Sequence, residues 1–108
     1  MKSFSETLSR LFKGIFNPRF SFEDGSWMEF AGREGLLYGE PDGHLMFITI
    51  YAEIEKRRCK RLYWKDIRKW RPPHELEPVD NDKQEEIGRR IGRFLQRMNY
   101  RLEISRDP

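Results

Sequence analysis

Apolar positions near the start of the chain fall at Phe4, Leu8, Leu11, Phe12, Ile15 and Phe16. That spacing gathers them on one helical face opposite Ser5, Glu6, Ser9, Arg10 and Lys13. Asn17-Pro18 stops the helix, because a residue before proline is pushed out of the α region. Residues 1–18 therefore read as an amphipathic helical extension. Its apolar face can pack on the chain's own sheet or on a dimer mate; with Lys2, Arg10 and Lys13 beside it, it can also lie on a membrane surface.

From Phe20 to Trp64 short apolar runs alternate with turn residues, Asp24-Gly25, Gly32, Gly35 and Pro41-Asp42-Gly43, the pattern of an antiparallel meander. The clearest strand is Leu45 to Ile54, with Met46, Ile48, Ile50, Ala52 and Ile54 on one face and Leu45, Phe47, Thr49, Tyr51 and Glu53 on the other. Apolar residues on both faces predict a central position in the sheet. Trp27 to Ala31 and Leu36 to Glu40 precede it as partners, and Cys59 to Trp64 returns after a charged turn, giving four strands. Pro72, Pro73 and Pro78 predict an extended, rigid connection from Arg71 to Val79. A helix follows, capped by Asp80 or by Asp82 with Glu85 as a capping box, and carrying a buried stripe of Ile87, Ile91, Phe94, Leu95 and Met98. Gly88 and Gly92 sit beside that stripe, where absent side chains allow a close approach to the sheet. Asn99 suits the helix end, and Tyr100 to Ile104 alternates as a short final strand. These elements make residues 1–108 a single α+β domain, an antiparallel meander packed by a C-terminal helix.

Charge changes the picture more than composition does. The net charge of +3 conceals a segregation: −7 between Phe20 and Glu55, where Arg33 is the lone base, and +8 between Lys56 and Arg71, where Asp66 is the lone acid. The two blocks can neutralise one another in the fold, or either can present a field to a partner. Fifteen aromatic residues supply apolar area enough to fold a chain that is otherwise 36% charged. One cysteine, Cys59, excludes an intrachain disulfide and points to a reducing, cytoplasmic setting. No apolar run reaches the ~20 residues that span a bilayer, and the N-terminus does not read as a secretory signal.

Candidate chemistry concentrates between Lys56 and Glu75, where cations surround Tyr63, Trp64 and Trp70. Along the strand Arg58, Lys60 and Leu62 share one face and Cys59, Arg61 and Tyr63 the other, so the cations do not form one surface. A catalytic constellation is not apparent. His44 and His74 stand thirty residues apart with no ligand spacing, so neither is expected to hold a metal; Gly32 and Gly35 fit a hairpin better than a phosphate loop; Cys59 reads as an inert thiol. No cofactor is implied, and Arg89, Arg90, Arg93 and Arg97 read as a solvated helix face, partly paired with Glu85 and Glu86. Trp70 reads as a structural plug beneath the Pro-Pro turn.

The Tyr63-Trp64 end of a strand, the turn Lys65-Asp66-Ile67-Arg68-Lys69-Trp70, Pro72-Pro73, and an Asp-rich helix start followed by Ile87, Ile91 and Leu95 resemble small immunity proteins of bacterial polymorphic-toxin and contact-dependent inhibition systems. The resemblance runs from Arg33 to Ile104, with Trp70-Arg71-Pro72-Pro73 as its sharpest element. An acid is common where this chain has Arg71, and the N-terminal helix is an addition. The resemblance implies a cytoplasmic, non-catalytic α+β protein that binds a cognate toxin domain and blocks its active site. The expected contact residues, read from the basic and aromatic segment, are Arg57, Arg61, Tyr63, Trp64, Arg68, Lys69 and Arg71. The alternative is a small nucleic-acid-binding or regulatory domain using residues 56–71, and the acidic block remains a competing face for a basic partner.

Overall fold

A computed structural model describes residues 19–106, and the helical extension expected over residues 1–18 lies outside them. Strands β1 (Phe20–Ser21), β2 (Trp27–Phe30), β3 (Gly35–Gly39) and β4 (Leu45–Thr49) form an antiparallel sheet in that order. Its hairpins turn where glycines adopt positive φ, Gly25 at 90°, Gly32 at 80° and Gly43 at 100°, angles that side chains disfavour. A second sheet holds β5 (Tyr51–Ala52), β6 (Cys59–Tyr63) and β7 (Arg101–Ser105), and a single 3-10 turn, Trp64–Asp66, leads from β6 toward helix α1 (Asn81–Arg97).

The strand expected over Leu45 to Ile54 breaks at Ile50. Its first half pairs with β3 and its second with β6, so one strand becomes the hinge between two sheets. It is also not central: β4 is the edge of the first sheet, Phe47 is 47% exposed and Ile54 98%. Phe47 stays on the outer face because its ring lies over Gly35, as the Trp27 indole lies over Gly39. Aromatic rings filling the space above strand glycines make both faces of this stretch apolar without burying both. The final strand runs parallel to β6, with Lys60 opposite Leu102. The meander thus ends in a crossover, because α1 carries the chain back along the sheet before β7 begins.

Core formation follows the predicted helical stripe. Ile87, Ile91, Phe94 and Leu95 are buried against Met28, Leu36, Tyr38, Met46, Ile48, Ile50 and Leu62, with Met98 and Tyr100 packed at the margin. Asp80 is the cap, its Oδ1 accepting the Lys83 N–H at 2.8 Å, and the alternative box does not form because Asp82 already lies inside the first helical turn, with Glu85 bound to Arg106. At the other end Asn99 adopts φ of 68°, with Tyr100 N–H on the Leu95 carbonyl and Asn99 N–H on that of Gln96. This is the Schellman arrangement. Arg58 completes it from β6's entry, donating to the Met98 and Asn99 carbonyls at 2.7 Å each.

Two turns replace the extended connection expected after Trp70. His74 N–H bonds the Arg71 carbonyl and Glu77 N–H that of His74, folding residues 71–77 back toward β4, where Arg71 N–H reaches the Leu45 carbonyl. No helix among the described residues is long and apolar enough to cross a membrane.

Candidate protein interface

β6 carries the alternation that divides the basic segment. Leu62 and Lys60 face inward, and Lys60 is only 9% exposed, with its ammonium 3.4 Å from the Arg33 carbonyl and 5.0 Å from the Tyr100 ring. It lines a cleft of about 540 Å³ with Phe30, Arg33, Glu34, Ala52 and Tyr100. Arg61 and Tyr63 point to the other side. There Arg61 is held between Glu53 and Glu103, and Lys56 also binds Glu103. Among the expected contact residues, Arg61 is thus already engaged within the chain.

Trp64 stacks against α1 at Gly88, where an added Cβ would lie 2.6 Å from its ring, and the Arg106 guanidinium stacks on the indole at 3.9 Å. Gly88 therefore admits an indole rather than backbone, while Gly92 has only ordinary space, Leu102 being 4.0 Å from a built Cβ. Trp70 is 5% exposed, packed beside Tyr38 and edge-on to His44 at 4.9 Å, the structural plug expected of it. Tyr63 meets Tyr51 edge-on at 5.4 Å, and the pair borders a shallow depression of about 270 Å³ with Lys65, Asp66 and Arg68. Arg57, Arg68, Lys69 and Arg71 are exposed. The structure thus gathers Tyr63 and Arg68 on one surface and adds Tyr51 and Lys65, whereas Trp64 turns toward the helix.

The acidic block is largely neutralised from within. Glu23 pairs with Arg93, Asp24 with Arg90, Glu29 with Arg19, Glu40 with Lys83, Asp42 with His44 and Glu53 with Arg61. The Arg93 hydrogen bond holds Glu23 at a pKa of about 2, and the Ser26 N–H, followed by Arg90, does the same for Asp24. Arg90 also reaches the Tyr38 hydroxyl at 2.6 Å, which in turn donates to Glu40; burial above all raises Tyr38 to about 12. Helix arginines that read as a solvated face thus hold the β1–β2 turn. Among the described residues, no carboxylate pairs with Arg57, Lys65, Arg68, Lys69 or Arg71.

His74 was open to a contact with Glu75 or Glu77, and it meets Glu77; its meeting with His44, thirty residues away, was not expected. The turns of residues 71–77 stack their rings with centroids 3.6 Å apart and place Glu77 between their nitrogens. No local spacing announces this, since it depends on where the second turn lands against β4.

Fold and surface together define a small α+β protein in which Lys65 and Arg68, without carboxylate partners among the described residues, lie beside paired tyrosines. No family model, curated protein or solved structure matches this chain.

Proposed function

We propose that this chain is a non-catalytic binding module that covers an acidic surface of a protein partner, in the manner of immunity proteins that occupy a cognate toxin domain. One observation carries the reading: five acids of the acidic block are held by arginine or lysine within the fold, while Lys65 and Arg68 border the Tyr51–Tyr63 depression and, with the exposed Lys69 and Arg71, have no carboxylate partner among the described residues. This favours the basic face over the acidic one as the binding surface. Rigid aromatic area beside unpaired cations supplies both contact energy and steering. The buried free thiol of Cys59 fits work in a reducing compartment such as the cytoplasm.

The test sequences the neighbouring gene, where a toxin is the expected product, and measures binding of that product's toxin domain to this chain. The expected result is a one-to-one complex whose association slows about tenfold or more from low to physiological salt. The triple variant Arg68→Glu, Lys69→Glu, Arg71→Glu should keep its fold and lose most of that rate. Association indifferent both to salt and to charge reversal overturns the reading. A gel shift with duplex DNA and with RNA addresses the alternative: salt-sensitive binding that the triple variant loses favours the nucleic-acid module.

A further inference from the structure

We propose that His44, His74 and Glu77 form a site for a divalent transition-metal cation of the zinc type, with Asp42 as the outer carboxylate that orients His44. The chain has two histidines, and the fold brings both to one carboxylate. Asp42 sits in the β3–β4 turn, where its Oδ1 accepts the His44 N–H at 3.0 Å and lies 2.8 Å from His44 Nδ1. With a metal bound, that contact would keep the Nδ1 proton toward Asp42 and leave the Nε2 lone pair for the ion. Nε2 there faces Glu77 Oε1 at 2.9 Å, and His74 Nδ1 faces Glu77 Oε2.

Either a proton on His44 Nε2 or a metal ion between Nε2 and Glu77 makes the first of these contacts attractive. A proton on His44 serves only the first of these contacts, the Nδ1–H of a neutral His74 serving the other. One divalent cation serves both nitrogens and the carboxylate at once. The donor atoms lie within 4.8 Å of one another, and a tetrahedral ion with bonds of about 2.0–2.1 Å draws such a set together by small side-chain rotations. His74, on its turn, rotates out of the parallel stack, while His44 stays fixed by Asp42 and the Trp70 edge. Two imidazoles with one carboxylate favour zinc-type ions over magnesium or calcium, which prefer oxygen donors, and three protein ligands leave a fourth position for water. The carboxylate–histidine pair formed by Asp42 and His44 is the outer support that metal-bound histidines usually have. The neighbouring trio Glu40, Asp42 and His44 is a poorer set, because the Lys83 ammonium already occupies Glu40 at 2.7 Å.

The experiment uses the full chain, stripped of metal, titrated with Zn²⁺ against a chromophoric chelator and separately with Co²⁺. The expected result is saturation at one equivalent and tetrahedral Co²⁺ absorption bands. His74→Gln should abolish both, and Asp42→Asn should weaken Zn²⁺ binding about 10–100-fold. Zn²⁺ should also raise the urea midpoint of the unsubstituted chain and leave that of His74→Gln unchanged, a linkage that does not depend on how the variant's own stability compares. No saturable equivalent, or an equivalent retained by folded His74→Gln, overturns the proposal.

Discussion

Gly88 and Gly92 look alike in sequence and should respond oppositely to alanine. In a helix interior alanine is favoured over glycine by about 1 kcal/mol, mainly through chain entropy. At Gly92 the new Cβ would have Leu102 at 4.0 Å, ordinary contact, so Gly92→Ala should gain that full amount. At Gly88 the new Cβ would lie 2.6 Å and 2.7 Å from two ring carbons of Trp64. Carbon pairs settle near 3.5–4.0 Å, so the indole must retreat by about 1 Å. It retreats against the Arg106 guanidinium stacked at 3.9 Å. Overpacking of this kind costs about 1–3 kcal/mol, which offsets the helical gain and leaves Gly88→Ala about 1 kcal/mol less stable than the unsubstituted chain. The two variants should then differ by about 2 kcal/mol, or about 1 M in urea midpoint for a domain of this size. Urea unfolding followed by far-ultraviolet circular dichroism and by tryptophan emission measures both. In a Trp64→Leu background the obstacle is gone, and Gly88→Ala should become stabilising. If Gly88→Ala raises the midpoint as much as Gly92→Ala in the otherwise unsubstituted chain, the indole is not lodged on the helix and the account fails.

Two further outcomes follow from charges placed by the fold. Glu23 and Asp24 have folded pKa values lowered to about 2, so their contribution is present above their ordinary values of 4.5 and 3.8 and is lost as pH falls toward 2. The urea midpoint should therefore fall more steeply between pH 5 and 2 in the unsubstituted chain than in the Glu23→Gln, Asp24→Asn variant; parallel slopes would refute the pairing. Arg58→Ala should cost about 1 kcal/mol by removing the guanidinium from the Met98 and Asn99 carbonyls, seen as faster amide exchange in the last turn of α1. Unchanged exchange there would show that the Schellman bonds suffice alone.

Features that depend on residues a few positions apart were legible along the chain. Period two marked β2, β3 and β6 to within a residue or two, period 3.6 marked the buried stripe of α1, and Asp24-Gly25, Gly32 and Gly43 marked the turns. The alternation of β6 already put Lys60 with Leu62 and Arg61 with Tyr63, so the splitting of the basic segment was legible. Tertiary structure alone decided the rest, because it turns on which distant segments meet. The break at Ile50 exists because β4 and β5 find different partners, and β7 runs parallel because α1 returns the chain first. The segregated charge was plain in the sequence, yet only the docking of α1 on β1 and β2 brings Arg90 and Arg93 to Asp24 and Glu23 and leaves the cations of residues 65–71 without acids. His44 and His74 meet for the same reason: hydrophobic burial and backbone hydrogen bonds fix the path of the chain, and side chains thirty residues apart become neighbours as its consequence.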